Sequence, residues 1–125
     1  MKHLFIAALC LAGFMQVVAQ EPLKDWANFG RYKEANAAVQ QPVKVVFMGN
    51  SITDGWPAAD PDFFTKNGYV GRGIGGQVSA QMLMRFRQDV INLKPQAVVI
   101  LAGTNDLAHN DYAVTPEQTF DNVVS

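Results

Sequence analysis

Two rhythms of apolar and polar positions alternate along this chain. Val43 to Met48 and Ala97 to Ala102 are short unbroken apolar runs of the kind that form buried strands. The second run is expected to be covered on both faces. Tyr69-Val70-Gly71-Arg72 reads as a shorter strand between them. Helical spacing marks the other segments. In Asp25 to Gln40, Trp26, Phe29, Tyr32 and Ala37 fall close to one face, and Gln41-Pro42 ends the pattern. Pro57 to Gly68 reads as a loop with a short helical piece at Asp62 to Lys66, stopped by Asn67-Gly68. Gln77 to Leu93 carries Met82, Phe86 and Val90 at regular spacing with Leu83 beside them, and Pro95 closes it. Met82, Met84 and Phe86 are read as helix core and surface. Thr115-Pro116-Glu117-Gln118 predicts a helix start, with Thr as N-cap, Pro at the first helical position and Gln closing a capping box.

Strand and helix in alternation predict a parallel sheet with crossover helices. The last helix opens well and no further strand follows it. The expected fold is therefore an α/β sheet cut off after its third strand.

Composition narrows the function classes. The net charge of −1 gives no basic excess for nucleic acid, and no charged tail is present. Lys2 and His3 precede the apolar stretch Leu4 to Met15, and small residues Val17 and Ala19 stand before Gln20. This is the pattern of a secretory signal peptide over residues 1–19, with the mature domain over 20–125. The expected location is secreted or periplasmic. The apolar stretch is shorter than the roughly 20 residues of a membrane span, so stable insertion is not expected. Cleavage would remove Cys10, the one cysteine. No ligand-spaced His/Cys cluster is present, so neither metal nor organic cofactor is expected.

Three loops follow the three strands: Gly49 to Asp54, Gly73 to Gln77, and Gly103 to Asp106. In a parallel sheet they emerge at one end, where ligands bind. A serine, a glycine that exposes its backbone, and an amide side chain can meet there. Acyl transfer needs this set, a hydroxyl to attack a carbonyl and fixed donors for the oxygen that gains charge.

Gly49-Asn50-Ser51-Ile52, Gly73-Ile74-Gly75-Gly76 and Gly103-Thr104-Asn105-Asp106 resemble, in order and spacing, the first three sequence blocks of the SGNH (GDSL) hydrolases. The resemblance runs from about Lys44 to the end. It implies a flavodoxin-like three-layer α/β/α fold and ester hydrolysis, with short acyl or acetyl esters such as O-acetylated carbohydrates as substrates. It makes Ser51 the nucleophile, and Gly76 and Asn105 oxyanion-hole donors, with Gly75 the close alternative to Gly76. Asn50 departs from the family's more usual Asp and can still cap and turn the chain. The family's catalytic Asp and His come from a D-x-x-H segment near the C-terminus. Asp106-Leu107-Ala108-His109 has that spacing but lies in the loop of the third block, and His109 is expected to be an exposed loop residue. The chain as it stands is therefore expected to be a poor esterase. The expected partner is a small-molecule or glycan ester; oligomeric state is not legible here.

Blander roles compete. Ser51 suits an N-cap or turn, Gly73 to Gly76 a tight strand-to-helix connection, and Asn105 and Asp106 an Asx turn. Asp54 suits either a holder of the elbow or a local cap. Trp56 and Phe63 suit packing better than a pocket lining. A different function class rests on Gly71, Gly73 and Gly76, which satisfy G-x-G-x-x-G between a strand and a helix, the fingerprint of a nucleotide- or flavin-binding module. Its ribose-binding acid is missing at Ala102-Gly103-Thr104, the tip of the next strand.

Overall fold

Every strand among the described residues runs in the same direction, and the first is the middle one. The computed structural model describes residues 24–109 and 114–125; the leader expected over residues 1–19 lies outside them. Strands β1 (Val45–Gly49), β2 (Tyr69–Gly73) and β3 (Ala97–Leu101) form a sheet in the order β2-β1-β3, all parallel. This is the start of the doubly wound pattern in which the chain moves first to one side of β1 and then to the other.

Alternation along β1 separates the layers, because successive side chains point to opposite faces. Val46 and Met48 face a core built with Val43, Met82, Val90 and Leu93. Met82 lies on α4 (Ser79–Asp89), which is followed by a 3-10 turn at Ile91–Leu93. Phe47 points the other way, into an aromatic cluster with Trp56, Phe63, Phe64 and Tyr69. Trp56 comes from α2 (Ser51–Ala59), and Phe63 and Phe64 come from α3 (Pro61–Thr65). Trp56 stacks on Phe63 at 4.9 Å between centroids. These two rings therefore serve packing, as expected.

Three expectations need correction. The segment 25–40 is not one helix: it is a series of turns followed by α1 (Lys33–Ala37). Asn28 takes a left-handed φ of 56° that breaks the periodicity, and Ala27, not the aromatic residues, is the fully buried side chain. Second, α2 was not legible. Gly55 and Pro57 argue against a helix there, yet Asn50 caps it by accepting the Ile52 N–H at 3.1 Å. Third, β3 is not covered on both faces. Val99, Ile100 and Leu101 are 47%, 41% and 37% exposed, because β3 is the edge strand among the described residues. The capping box at α6 (Pro116–Val124) forms as expected, with Thr115 Oγ1 accepting the Gln118 N–H and Gln118 Oε1 accepting the Thr115 N–H.

A charge lies in the core. Arg85 and Asp89, both fully buried, pair at 3.0 Å across one turn of α4. Burial pulls the Arg85 guanidinium below its usual value, and the Asp89 carboxylate draws it back up. Removing one member strands the other charge. Asp89→Ala should therefore lower stability by about 3–5 kcal/mol in urea unfolding. The exposed apolar edge at β3 has its own consequence. Sedimentation of the purified chain should show concentration-dependent association, and Val99→Lys should weaken it.

Candidate functional site

The register of the sheet brings the three loops to one row. Gly49 pairs with Gly73 on one side and with Leu101 on the other, so all three strands end level. The chain leaves β1 into α2, leaves β2 into the turn 74–77, and leaves β3 into α5 (Thr104–Leu107).

Ser51 opens α2 directly after its cap, Asn50, and is exposed. The helix lies close on the end of β2. A Cβ built on Gly73 would stand 2.1 Å from Asp54 N and 2.4 Å from the Thr53 carbonyl carbon, so only glycine permits this approach. The β2 loop follows as a turn closed by the Gln77 N–H to the Ile74 carbonyl at 3.4 Å. Gly76, at the third position of that turn, has φ +76°, which a side chain would disfavour. A Cβ on Gly75 would stand 3.8 Å from Ser51 Cβ, so the turn lies against the serine. The Gly75 N–H donates to Asp54 Oδ2 at 3.0 Å. The Gly76 N–H has no hydrogen-bond partner among the described residues.

Asn105 reaches the same turn from the third loop. Its Nδ2 donates to the Gln77 carbonyl at 2.9 Å. Asp106 turns inward and is 1% exposed; both its oxygens accept the Ser79 N–H, at 3.0 and 2.9 Å, and it also accepts the Ser79 hydroxyl. The first turn of α4, whose N–H groups would otherwise attract an anion, is thus held by the protein's own carboxylate. His109 ends this segment exposed, at φ 54°. With Asp106 engaged by Ser79, the Asp106-to-His109 spacing does not form an orienting pair.

Beneath the turn sits Arg85. Its Nε donates to Gln77 Oε1 at 2.6 Å, and its Nη2 donates to the carbonyls of Arg72 at 2.9 Å and Gly49 at 3.3 Å. The helical pattern Met82, Arg85, Phe86, Asp89 places two charged residues on the core-facing stripe. That mismatch was the one sign of this network in the sequence. Gln77, Ser79 and Arg31 gave no such sign.

An open cleft of 250 Å³ adjoins the turn, lined by Trp26, Asn28, Gly75, Gly76 and Gln81 among others. Gln81 Nε2 donates to the Trp26 carbonyl at 2.8 Å, and Gln77 Nε2 to the Ala27 carbonyl at 2.8 Å. The N-terminal turns are thereby fastened beside the loop. Among the described residues no group of His, Cys, Asp and Glu is arranged to hold a metal.

The sequence profile of the GDSL-like lipase/acylhydrolase family matches residues 47–125. The fold is similar to that of a candidate acylhydrolase from Bacteroides fragilis, with 57% identity and a TM-score of 0.78 over 82% of this chain and 51% of that one. It is similar to a GDSL-like lipase from Bacteroides thetaiotaomicron, with 58% identity and a TM-score of 0.75 over 78% of this chain and 50% of that one. An acetyl xylan esterase is a more distant likeness, at 26% identity and a TM-score of 0.54 over 65% of this chain and 48% of that one. This chain spans about half the length of the solved structures it matches. No curated protein matches it.

The contact between α2 and the end of β2 yields a test. Gly73→Ala forces a methyl against backbone, which cannot give way as a flexible side chain would. Overpacking of this kind costs about 1–3 kcal/mol or more. Thermal unfolding should show that loss, whereas Gly55→Ala, where an added Cβ meets nothing within 4 Å, should not lower the midpoint.

Proposed function

This chain belongs to the GDSL-like lipase/acylhydrolase family, and we propose that Ser51 is the nucleophile of an ester hydrolase. In this reading the Ser51 Oγ attacks an acyl carbonyl, and its proton passes to a base. The carbonyl oxygen becomes an oxyanion. The Ser51 N–H at the start of α2, the Gly76 N–H and the Asn105 carboxamide donate to it. Collapse of the tetrahedral species expels the alcohol, and water then releases the acid from Ser51.

The observation that carries this reading is the single row of strand ends. Gly49, Gly73 and Leu101 are level, the turn lies against Ser51, and Asn105 is tied to that turn through Gln77. We assign the substrate to acetyl esters of carbohydrates. The likeness to an acetyl xylan esterase and the secretory pattern at residues 1–19 support that choice. Short acyl lipids and thioesters are the competing substrates. We place the working protein in the secreted or periplasmic space on the same leader.

The nucleotide reading of Gly71, Gly73 and Gly76 finds less support. A Cβ on Gly71 would run into the Pro57 ring at 2.5 Å, and Gly73 lies under Asp54 and Thr53, so both glycines serve the packing of α2. The α4 terminus is taken up by Asp106.

His109 is the one histidine among the described residues, and it is exposed beyond α5. Ser51 therefore keeps its weak intrinsic nucleophilicity in the described site. Release of p-nitrophenolate from p-nitrophenyl acetate should be slow at neutral pH. It should rise in added imidazole by more than it does for Ser51→Ala. Equal rises in the two proteins would reject Ser51 as nucleophile. Titration of the acid released from acetylated xylo-oligosaccharides and from short acyl lipids ranks the substrate classes.

A further inference from the structure

Asp54 touches the turn beside Ser51 and is itself held from a third element. Its Oδ2 accepts the Gly75 N–H at 3.0 Å. Its Oδ1 accepts from Arg31 Nη2 at 3.0 Å, an ion pair with side chains 28% and 50% exposed. Neighbouring Tyr32 donates its hydroxyl to the Gly73 carbonyl, so the segment 31–32 holds both α2, through Asp54, and the end of β2. Asp54 raises the Arg31 pKa above its usual value through that hydrogen bond and through charge attraction.

We propose that Asp54 is a positioning residue for the oxyanion site. By accepting the Gly75 N–H while anchored on Arg31, it fixes the turn against Ser51 and leaves the Gly76 N–H as the donor the turn presents. This rests on the ester-hydrolase reading above.

The argument is one of donor accounting. The turn offers three consecutive N–H groups, on Gly75, Gly76 and Gln77. The Gln77 N–H closes the turn on Ile74, and the Gly75 N–H is spent on Asp54. Of these three N–H groups, that of Gly76 alone has no hydrogen-bond partner among the described residues. Without the carboxylate, two adjacent glycines would be free to rotate their shared peptide. A donor must stand in place before the oxyanion forms for its charge to be stabilised without reorganisation. Charge matters as well. A bare carboxylate this close to a developing oxyanion would repel it. Arg31 offsets that repulsion, so the pair supplies the grip without the field.

Asp54→Ala should remove the grip, and Asp54→Asn should keep it, because the amide oxygen can accept the same N–H. Hydrogen–deuterium exchange at single-residue resolution reads the structural half without any turnover. Relative to its intrinsic rate, Gly75 should exchange more slowly than Gly76. Asp54→Ala should erase the difference and Asp54→Asn should restore it. Imidazole-supported hydrolysis reads the functional half. Asp54→Ala should lower kcat by about 10- to 100-fold with KM unchanged. Asp54→Asn should recover most of that loss, and Arg31→Met should lower kcat while Gly75 stays protected. Unprotected Gly75 in the parent protein overturns the proposal. So does protection lost in Asp54→Ala with kcat retained. A missing difference between the parent and Ser51→Ala would instead strike the hydrolase reading, while the exchange result would still report on the Asp54 grip.

Discussion

Four hydrogen bonds from one buried guanidinium tie the working end of this sheet to the core. Arg85 is fully enclosed and donates to Gln77, Asp89, Gly49 and Arg72. Two of those acceptors are carbonyls near the ends of neighbouring strands, and the Gly49 carbonyl also accepts the Ile74 N–H at 2.9 Å. A buried carbonyl without a donor is costly, and a planar fork of donors can satisfy several at once. Asp89 compensates the charge, and is itself hydrogen-bonded by Asn36 at 2.7 Å. The network continues outward. Arg72 Nε donates to Asn36 Oδ1 at 2.7 Å, and the Arg72 guanidinium lies 4.8 Å from the centre of the Tyr32 ring. One connected set of polar groups thus joins β1, β2, α4 and the segment before β1.

That constraint reaches the candidate site through Gln77. Its side-chain oxygen is held by Arg85, its side-chain nitrogen holds Ala27, and its backbone carbonyl receives Asn105. The amide assigned to the oxyanion site is therefore two hydrogen bonds from the core charge. Asp106, next in sequence to Asn105, points the opposite way and secures Ser79, with Asn122 of α6 donating to the same hydroxyl at 3.0 Å. Adjacent residues in one short helix thus divide the work. One faces the turn, and the other fastens the loop to α4.

Close packing does the rest. The α2 helix starts at the serine and lies so near β2 that Gly73 has no room for a methyl group. This approach carries Asp54 to the turn. The glycines that gave the sequence its nucleotide-binding look are explained by that contact and by Pro57 against Gly71. The same residue type serves two architectures because both need a helix or a phosphate to approach backbone closely.

The sequence by itself determined the three strands, the long helix between the second and the third, the capping box of α6 and the three blocks around Ser51, Gly76 and Asn105. Each of these is local: it depends on residues a few positions apart, on periodicity, or on a side chain satisfying its own backbone. The helix at Ser51–Ala59 escaped that reading because Pro57 and Gly55 oppose it locally, and contact with β2 and the aromatic cluster outweighs them. The turns at 25–32 escaped it because a run of aromatic residues at helical spacing carries no mark of the left-handed Asn28. Only the tertiary structure decided which strand is central, that β3 is left open as an edge, and how Asp54, Arg31, Gln77 and Arg85 converge on the turn. Those contacts join residues 8 to 36 positions apart. A hydrogen bond across such a span leaves no periodic trace in the chain, and forms only when packing has brought both ends together.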